Sequence, residues 1–220
     1  MSSSVVVHVR WARTDGLRDS HVELLDDHER ERLARLRQRG DRDRFVLGAA
    51  VLRGLVADLE RTEPRLIALD RTCPRCGAQH GPVTAPGRPW HCSVSHSGPF
   101  AVAAVVAAGD ATTVGVDLET TCPPDWHALL SDVLAPAESA PADEAAFLRT
   151  WTRKEAVVKA TREGLSRPLS SVDLAAPPGQ LRVLDLDLTE LGATGPIAAA
   201  VAVDAQAEVC LLYTSDAADE

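Results

Sequence analysis

The stretch VGVDLE, residues 114–119, places two carboxylates in a segment that otherwise has the pattern of a buried strand. Side chains alternate between the two faces of a strand, so Asp117 and Glu119 share one face while Val116 and Leu118 point into a core on the other. Two like charges side by side need a cation to neutralise them. The pattern therefore predicts a fold organised around a charged strand that contributes to a cation site.

A third carboxylate is expected to come from a helix. The segment WTRKEAVVK, residues 151–159, has helical periodicity, and we expect it to be the middle of a helix that begins near Asp143. Glu155 falls on the same helical stripe as the apolar residues Phe147 and Trp151. We therefore expect Glu155 to point inward and to join the two carboxylates of the strand.

Three carboxylates without a histidine or cysteine form a hard oxygen site, which suits Mg²⁺ better than zinc. Magnesium keeps coordination positions for water and phosphate, so such a site would support phosphoryl transfer. The spacing also allows a simpler interpretation, in which the strand carboxylates lie at the surface and Glu155 pairs with Lys159 one helical turn later. The residues alone leave both interpretations open.

Composition and charge narrow the class of protein. The chain has 220 residues, of which 45% are hydrophobic and 25% charged, and no apolar run approaches the roughly 18 residues of a membrane span. We expect a cytoplasmic protein without a membrane partner, because the first residues lack the features of a signal peptide and the five cysteines suggest reduced thiols. The net charge of −9 argues against a nucleic-acid partner, although residues 30–44 are locally basic.

The order of the expected elements predicts an α+β fold built from two similar halves. The segment that begins at Gly98 is partly repeated from Gly195, which suggests an internal duplication. We expect an N-terminal half at residues 1–110 and a C-terminal half with the carboxylates at residues 111–210. Such a duplicated chain can act as a monomer.

Two more local expectations concern the middle and the end of the chain. Residues 100–108 and 112–119 read as strands around a Gly-Asp turn, and we expect them to pair as a hairpin. Residues 211–220 continue no earlier pattern and resemble a translated vector or adapter sequence. We expect this tail to be non-native or disordered.

A separate cysteine cluster suggests a second metal. Cys73, Cys76 and His80 have the spacing of a zinc knuckle, and Cys92 or His91 could complete a structural zinc site. Only one Cys-x-x-Cys pair is present, so reduced cysteines in a loop are the alternative. A zinc-knuckle binding module is the corresponding alternative function, but net acidity and the absence of interleaved aromatics argue against an RNA-binding version.

The segment SVSHSG, residues 93–98, is a candidate phosphate-binding element. It offers hydroxyls, backbone N–H groups and an imidazole, although a serine-rich turn with one capping histidine would look the same. A serine hydrolase is disfavoured because Gly-x-Ser-x-Gly is absent. Lys154 and Lys159 flank Glu155 and could reach a phosphate or simply lie in solvent.

Together these motifs resemble the signatures of the Sfp-type 4′-phosphopantetheinyl transferase superfamily. Those signatures are a Gly-Lys-Pro-like turn, a Ser-His-Ser segment, a Gly-[Val/Ile]-Asp-x-Glu strand and a Trp-x-x-Lys-Glu-Ala-x-x-Lys helix. Their counterparts here are residues 87–89, 95–97, 115–119 and 151–159. They occur in the order of the family, with similar gaps.

The resemblance implies a pseudo-two-fold duplicated α+β fold over about residues 5–205, with coenzyme A bound in the cleft between the halves. It also implies that Mg²⁺ lies on Asp117, Glu119 and Glu155 and grips the pyrophosphate of coenzyme A.

The resemblance further implies contacts with the rest of the cofactor. His96 and Lys159 would contact phosphate, Ser95 the nucleotide end, and Arg88 the 3′-phosphate. Arg88 replaces a lysine that is frequent in the family, and Ser93 stands where asparagine is common. The family also has N-terminal basic contacts, for which Arg39 and Arg44 are the candidates here, and the simpler alternative is a solvated helix end.

The implied reaction transfers 4′-phosphopantetheine from coenzyme A to a serine of an apo acyl or peptidyl carrier protein and leaves adenosine 3′,5′-bisphosphate. Glu155, or a metal-bound water that it holds, is the expected base, and Glu138 is the alternative. A magnesium-dependent phosphohydrolase or nucleotidyltransferase would use the same carboxylates without a carrier protein.

Overall fold

The computed structural model describes residues 4–164, 167–187, 196–204 and 208–215. The strands in these ranges are β1 Val5–Arg13, β2 Asp70–Thr72, β3 Gln79–Thr84, β4 Trp90–Ser97, β5 Phe100–Ala107, β6 Val114–Glu119, β7 Leu181–Asp185, β8 Ala198–Asp204 and β9 Val209–Ser215. The α-helices are α1 Asp19–Glu23, α2 Asp27–Arg35, α3 Arg39–Glu60, α4 Leu130–Val133 and α5 Glu144–Ala160. Short 3₁₀ turns connect several of them.

The strands form two larger sheets and one small one. The first sheet has the strand order β4-β5-β1-β9 and the second has the order β6-β8-β7, while β2 and β3 pair only with each other. Helix α3 packs on the first sheet and α5 on the second. The mixed α+β class is as expected. That the two halves are duplicates remains a prediction.

The two larger sheets share one apolar core. Val7 and Val102 of the first sheet belong to the same buried cluster as Val116, Leu118 and Val201 of the second. Separate clusters join α3 to the first sheet and α5 to β8. Among the described residues, no helix combines the length and apolar character that crossing a membrane requires.

The prediction of a hairpin between residues 100–108 and 112–119 is wrong. Strand β5 pairs with β1 and β4, whereas β6 pairs with β8 in the other sheet. Strand β5 is buried along nearly its whole length, on both faces, because the core between the sheets covers one face and α3 covers the other. The turn between β5 and β6 therefore carries the chain from one sheet to the next.

The expectation of a disordered tail is also wrong for residues 211–215, which lie in β9. This strand runs parallel to β1, from the pair Val5 and Val209 to the pair Trp11 and Ser215. The segment is rich in residues that favour strands, and β1 offers it a row of backbone groups to pair with. Residues 216–220 lie outside the described residues, and the non-native origin of the tail stays a prediction.

Helix α5 crosses β6 at Gly115 with no room for a side chain. A Cβ atom placed there would lie 2.1 Å from the carbonyl oxygen of Ala156 and 2.4 Å from the backbone nitrogen of Ala160. Both contacts are with backbone, which cannot swing aside as the end of a flexible side chain can. This glycine therefore sets how closely Glu155 and Lys159 of the helix approach the carboxylates of the strand.

We predict that Gly115→Ala destabilises the protein by about 3 kcal/mol, because the added methyl group forces the helix away from the strand. The measurement is urea unfolding followed by circular dichroism. Gly109→Ala is the control, because a Cβ atom at Gly109 meets nothing within 4 Å. Equal unfolding midpoints for the two variants would contradict the packing that we describe.

Candidate functional site

The candidate site lies where the edge of the first sheet meets the edge of the second. Strands β4 and β6 are edge strands of different sheets, yet they lie side by side. They are joined by hydroxyl groups of β4 instead of a backbone ladder. These hydroxyl groups belong to Ser93, Ser95 and Ser97, which we call the serine seam.

Two members of the serine seam are buried and hold β6 in place. The hydroxyl oxygen of Ser93 accepts a hydrogen bond from the backbone N–H of Val116 at 2.9 Å. The hydroxyl of Ser95 donates to Oδ1 of Asp117 at 2.8 Å. This hydrogen bond orients the carboxylate of Asp117, and the expected contact of Ser95 with the nucleotide end stays a prediction.

The third member of the seam contacts the second carboxylate of the strand. The hydroxyl of Ser97 donates to Oε2 of Glu119 at 2.7 Å and accepts from the backbone N–H of Thr120 at 3.2 Å. The alternation of serines on β4 thus matches the alternation of carboxylates on β6, because both follow the two-residue period of a strand.

Asp117 is the most deeply buried carboxylate of the site, with 3% of its surface exposed. Its Oδ1 also accepts a hydrogen bond from Nζ of Lys159 at 2.7 Å, and that ammonium group donates to the carbonyl of Val116 at 3.0 Å. Its Oδ2 is buried and has no hydrogen-bond partner within the described ranges. A buried acceptor in this state has a large desolvation cost, which a cation would remove.

The negative charge of Asp117 contributes to the pKa values of the nearby Glu119 and Glu155. Burial and then Asp117 raise the pKa of Glu155, with a smaller contribution from Glu119. Burial also raises the pKa of Glu119, and Asp117 adds to the effect, while the hydrogen bond from Ser97 opposes it. The three carboxylates therefore repel one another and favour a bound cation.

These residues fit a magnesium ion. They offer oxygen ligands, an unpartnered buried oxygen and excess negative charge. They do not form a closed cage, because the carboxylate oxygens are not among the described ligand atoms that all lie within 4.8 Å of one another. An open arrangement suits an ion that retains several waters.

A cavity of about 460 Å³ adjoins the carboxylates through Ser93 and Lys159, which line it. Its other lining groups include the positive charges of Arg71, Arg75 and Arg162 and the ring of Trp90. A volume of this size can take much of a nucleotide, and the positive charges favour an anion.

Sequence reasoning missed Arg71. Its Nε atom is buried without a hydrogen-bond partner in the part of the chain that the structure describes. Burial, with a smaller effect of Arg32, lowers its pKa to about 10. Nothing in the local pattern marks this arginine, because its burial depends on where β2 and β3 pack against the rest of the fold.

His96 lies beside several cations. The ring of His96 keeps access to solvent. Partial desolvation by the surrounding protein nevertheless lowers the pKa of His96, and the positive charges of Lys159, Arg44 and Arg71 add to this effect. Arg44 donates to the carbonyl of Gly98 at 3.2 Å. The structure thus brings His96, Lys159 and Arg44 into one region, as a phosphate site would require.

Two other predicted phosphate ligands are held elsewhere. Arg88 forms an ion pair with Glu60 and donates to the carbonyl of Leu66 at 3.1 Å, and it does not line the cavity. The side chain of Arg39 is 93% exposed and lies 3.6 Å from Asp43. Their roles in binding remain predictions without support from this geometry.

Lys154 and Glu138 have a structural role that the sequence did not indicate. Lys154 is 0% exposed, forms an ion pair with Glu138 and donates to the carbonyl of Val172 at 2.6 Å. The carboxylate of Glu138 also accepts from the backbone N–H groups of Ala135 and Leu174 at 2.8 and 3.0 Å. Although burial opposes it, these hydrogen bonds lower the pKa of Glu138. The structure therefore corrects the expectation that Lys154 is solvated or reaches a phosphate, and Glu138 as the alternative base stays a prediction that this geometry does not support.

The expected zinc ligands are only partly brought together. Ligand atoms of Cys73, Cys76 and His80 lie within 4.8 Å of one another. Cys92 is not in this group, because it lies on the face of β4 that packs against the core under α3. Burial there raises the pKa of the Cys92 thiol to about 12, which disfavours a ligand thiolate.

Comparison with known proteins shows which proteins this chain is similar to. The family model of the 4′-phosphopantetheinyl transferase superfamily matches residues 113–200, which include the three carboxylates and Lys159. The chain is 28% identical to the 4′-phosphopantetheinyl transferase Sfp of Bacillus subtilis over 160 residues, or 68% of this chain and 66% of that protein.

Two further relatives have similar names. The identity is 37% over 109 residues to the 4′-phosphopantetheinyl transferase AcpT of Salmonella typhi, which covers 46% of this chain and 55% of that protein. The identity is 30% over 137 residues to the 4′-phosphopantetheinyl transferase psf-1 of Bacillus pumilus, which covers 60% of this chain and 55% of that protein. The chain thus spans between 55% and 66% of the length of these relatives.

We predict that Glu155→Gln makes the metal-free protein more stable, because it removes one of three repelling carboxylates. Magnesium at 100 times its dissociation constant should stabilise the wild-type chain by about 2.7 kcal/mol, and the variant clearly less. Urea unfolding with EDTA or Mg²⁺ measures both effects. The exposed Glu31→Gln is the control, and an equal response of all three proteins to magnesium would refute a site at Glu155.

Proposed function

We propose, given that this chain belongs to the 4′-phosphopantetheinyl transferase superfamily, that it transfers 4′-phosphopantetheine from coenzyme A to a serine of an apo acyl or peptidyl carrier protein. The observation that carries the proposal is the buried Asp117, which has an unpartnered oxygen and an ion pair with Lys159 at the edge of a positively charged cavity. A diphosphate bound there would meet both a cation site and a fixed ammonium group.

The proposed reaction is a substitution at phosphorus. The hydroxyl oxygen of the carrier serine forms a bond to the β-phosphorus of coenzyme A, and the bond from that phosphorus to the bridging oxygen breaks. The leaving group is adenosine 3′,5′-bisphosphate, and the proton of the serine passes to a base. Positioning and charge stabilisation account for most catalysis in reactions of this type.

Asp117, Glu119 and Glu155 are the residues that would hold magnesium. The ion, when bound, would neutralise charge on the diphosphate as the bond breaks. Ser95 and Ser97 would fix the orientation of Asp117 and Glu119, because each donates a hydrogen bond to one of these carboxylates.

Lys159 would bind the diphosphate. Its ammonium group is held by Asp117 and by the carbonyl of Val116, and its side chain remains 30% exposed, so it can also face a ligand. Lys159 lines the cavity and contacts the carboxylate site, which makes it the link between the two. His96 and Arg44 lie nearby and would add contacts to the phosphates.

The nucleotide end would occupy the cavity. Arg71, Arg75 and Arg162 supply positive charge for its phosphates, and the ring of Trp90 offers a surface for stacking. Arg71 replaces Arg88 in this proposal, because Arg71 lines the cavity and its Nε has no partner there, whereas Arg88 is paired with Glu60.

Glu155 would take the proton of the carrier serine. Without a metal, burial and the charge of Asp117 raise its pKa, and a bound cation would oppose this shift, so the proposal rests on the position of Glu155 beside Asp117 and Glu119. Glu138 is a poor candidate, because its two oxygens are engaged by Lys154, Ala135 and Leu174.

The test of the function combines the protein with an apo carrier protein, coenzyme A and Mg²⁺. We expect intact mass spectrometry to show a phosphopantetheine increment on the carrier, and no increment when its acceptor serine is replaced by alanine. Cleavage of coenzyme A at the same rate without a carrier would instead support the phosphohydrolase. No reaction of either kind would contradict the proposal.

We predict different outcomes for two glutamates in this assay. Glu155→Gln should reduce transfer by at least about 100-fold, because it removes a base and a metal ligand, while the variant stays folded. Glu138→Gln should lower stability by about 3 kcal/mol, because Lys154 loses its buried counter-ion, but it should keep most activity per folded molecule. Transfer rates at low temperature, with unfolding curves for both variants, measure the difference. Near-normal turnover of Glu155→Gln would exclude its role as base.

A further inference from the structure

The hairpin of β2 and β3 needs more than its own hydrogen bonds to hold its shape. It forms a separate two-stranded sheet, and its register shifts between the pair Asp70 and Thr84 and the pair Thr72 and Gln79. Isolated two-stranded hairpins are marginally stable in water. Val83 of β3 is packed in the core under α3, but most of the connecting loop, including Cys76 and His80, is exposed, so a constraint in that loop would stabilise the far end of the hairpin.

That loop, residues 73–80, has a backbone that brings soft ligands together. The N–H of Cys73 donates to the carbonyl of Ala78, and the N–H of Gly77 donates to the carbonyl of Cys73, both at 2.8 Å. Gly77 permits the tight turn because its φ of 71° lies in the left-handed region.

The distances fit a tetrahedral metal site. Zinc–sulfur and zinc–nitrogen bonds of about 2.3 and 2.0 Å imply ligand atoms separated by about 3.5 to 3.8 Å. The ligand atoms of Cys73, Cys76 and His80 all lie within 4.8 Å of one another. Sγ of Cys76 and Nε2 of His80 are 3.0 Å apart, so binding requires a shift of only about 0.5 Å between them.

We propose that Cys73, Cys76 and His80 bind one zinc ion, that water fills the fourth position, and that this ion fixes the hairpin of β2 and β3. Two thiolates and an imidazole select zinc over magnesium, so this site and the carboxylates would hold different metals. Cys76 and His80 are exposed, which leaves a route for the ion and the water.

The site has a consequence for ligand binding, which rests on the proposed function. Residues 73–75 and 80–82 form one wall of the cavity in which we place the nucleotide end of coenzyme A. Zinc would hold this wall, including Arg75, in one arrangement before the ligand enters. Its loss should therefore weaken binding of coenzyme A and leave the carboxylate chemistry unchanged.

The metal is tested first, on the full chain produced with added zinc. We expect mass spectrometry of the metal content to give one zinc per chain for the wild type and for Cys122→Ser, a matched control outside the cluster. Cys76→Ser should contain little or none. Substitution by cobalt should give a thiolate charge-transfer band in the wild type and in Cys122→Ser, but not in Cys76→Ser. An absence of zinc from the wild type, or equal zinc in Cys76→Ser, would overturn the site.

The coupling is tested by calorimetric titration with coenzyme A, which does not depend on transfer. We expect removal of zinc to weaken binding about fivefold and re-addition to restore it, and the same loss should appear in KM with little change in kcat. Reversible removal from the wild-type chain keeps the test valid if Cys76→Ser does not fold. Unchanged affinity would refute the coupling. Normal zinc content with no transfer to any carrier would instead contradict the proposed function.

Discussion

The site depends on how one buried carboxylate is satisfied. Asp117 receives a hydroxyl from one sheet and an ammonium group from helix α5, both on the same oxygen. Its other oxygen is left without a partner among the described residues. The ion pair with Lys159 compensates only part of the cost of burying this charge, since two more carboxylates lie nearby. The arrangement is therefore incomplete as a purely structural feature, and that is the strongest physical reason to regard it as a binding site.

The backbone around Asp117 makes this arrangement rigid. Gly115 lets the helix lie directly on the strand, and the serine seam fixes the strand from its other side. The carboxylates, the serine seam and Lys159 thus come from two strands and a helix. Such a frame can hold ligands to within a fraction of an ångström, as catalysis by positioning requires.

Sequence periodicity predicted the parts of this frame that depend on local order. Alternation placed Val116 and Leu118 opposite the carboxylates, and both are buried in the core between the sheets. The helix begins at its cap Asp143, where it was expected. Alternation could not reveal that β6 pairs with β8, because that pairing links residues far apart in the chain. The burial of Arg71 was equally hidden, since it arises from the docking of a separate hairpin.

The ion pair of Lys154 and Glu138 could not be predicted from local sequence patterns either, because the two charged residues come from different parts of the chain. It also ties helix α5 to the backbone near Ala135 and near Val172. None of these three segments can be displaced alone without exposing an uncompensated charge in an apolar interior. They should consequently open and close as one cooperative unit, so that hydrogen exchange in all three proceeds with the same protection.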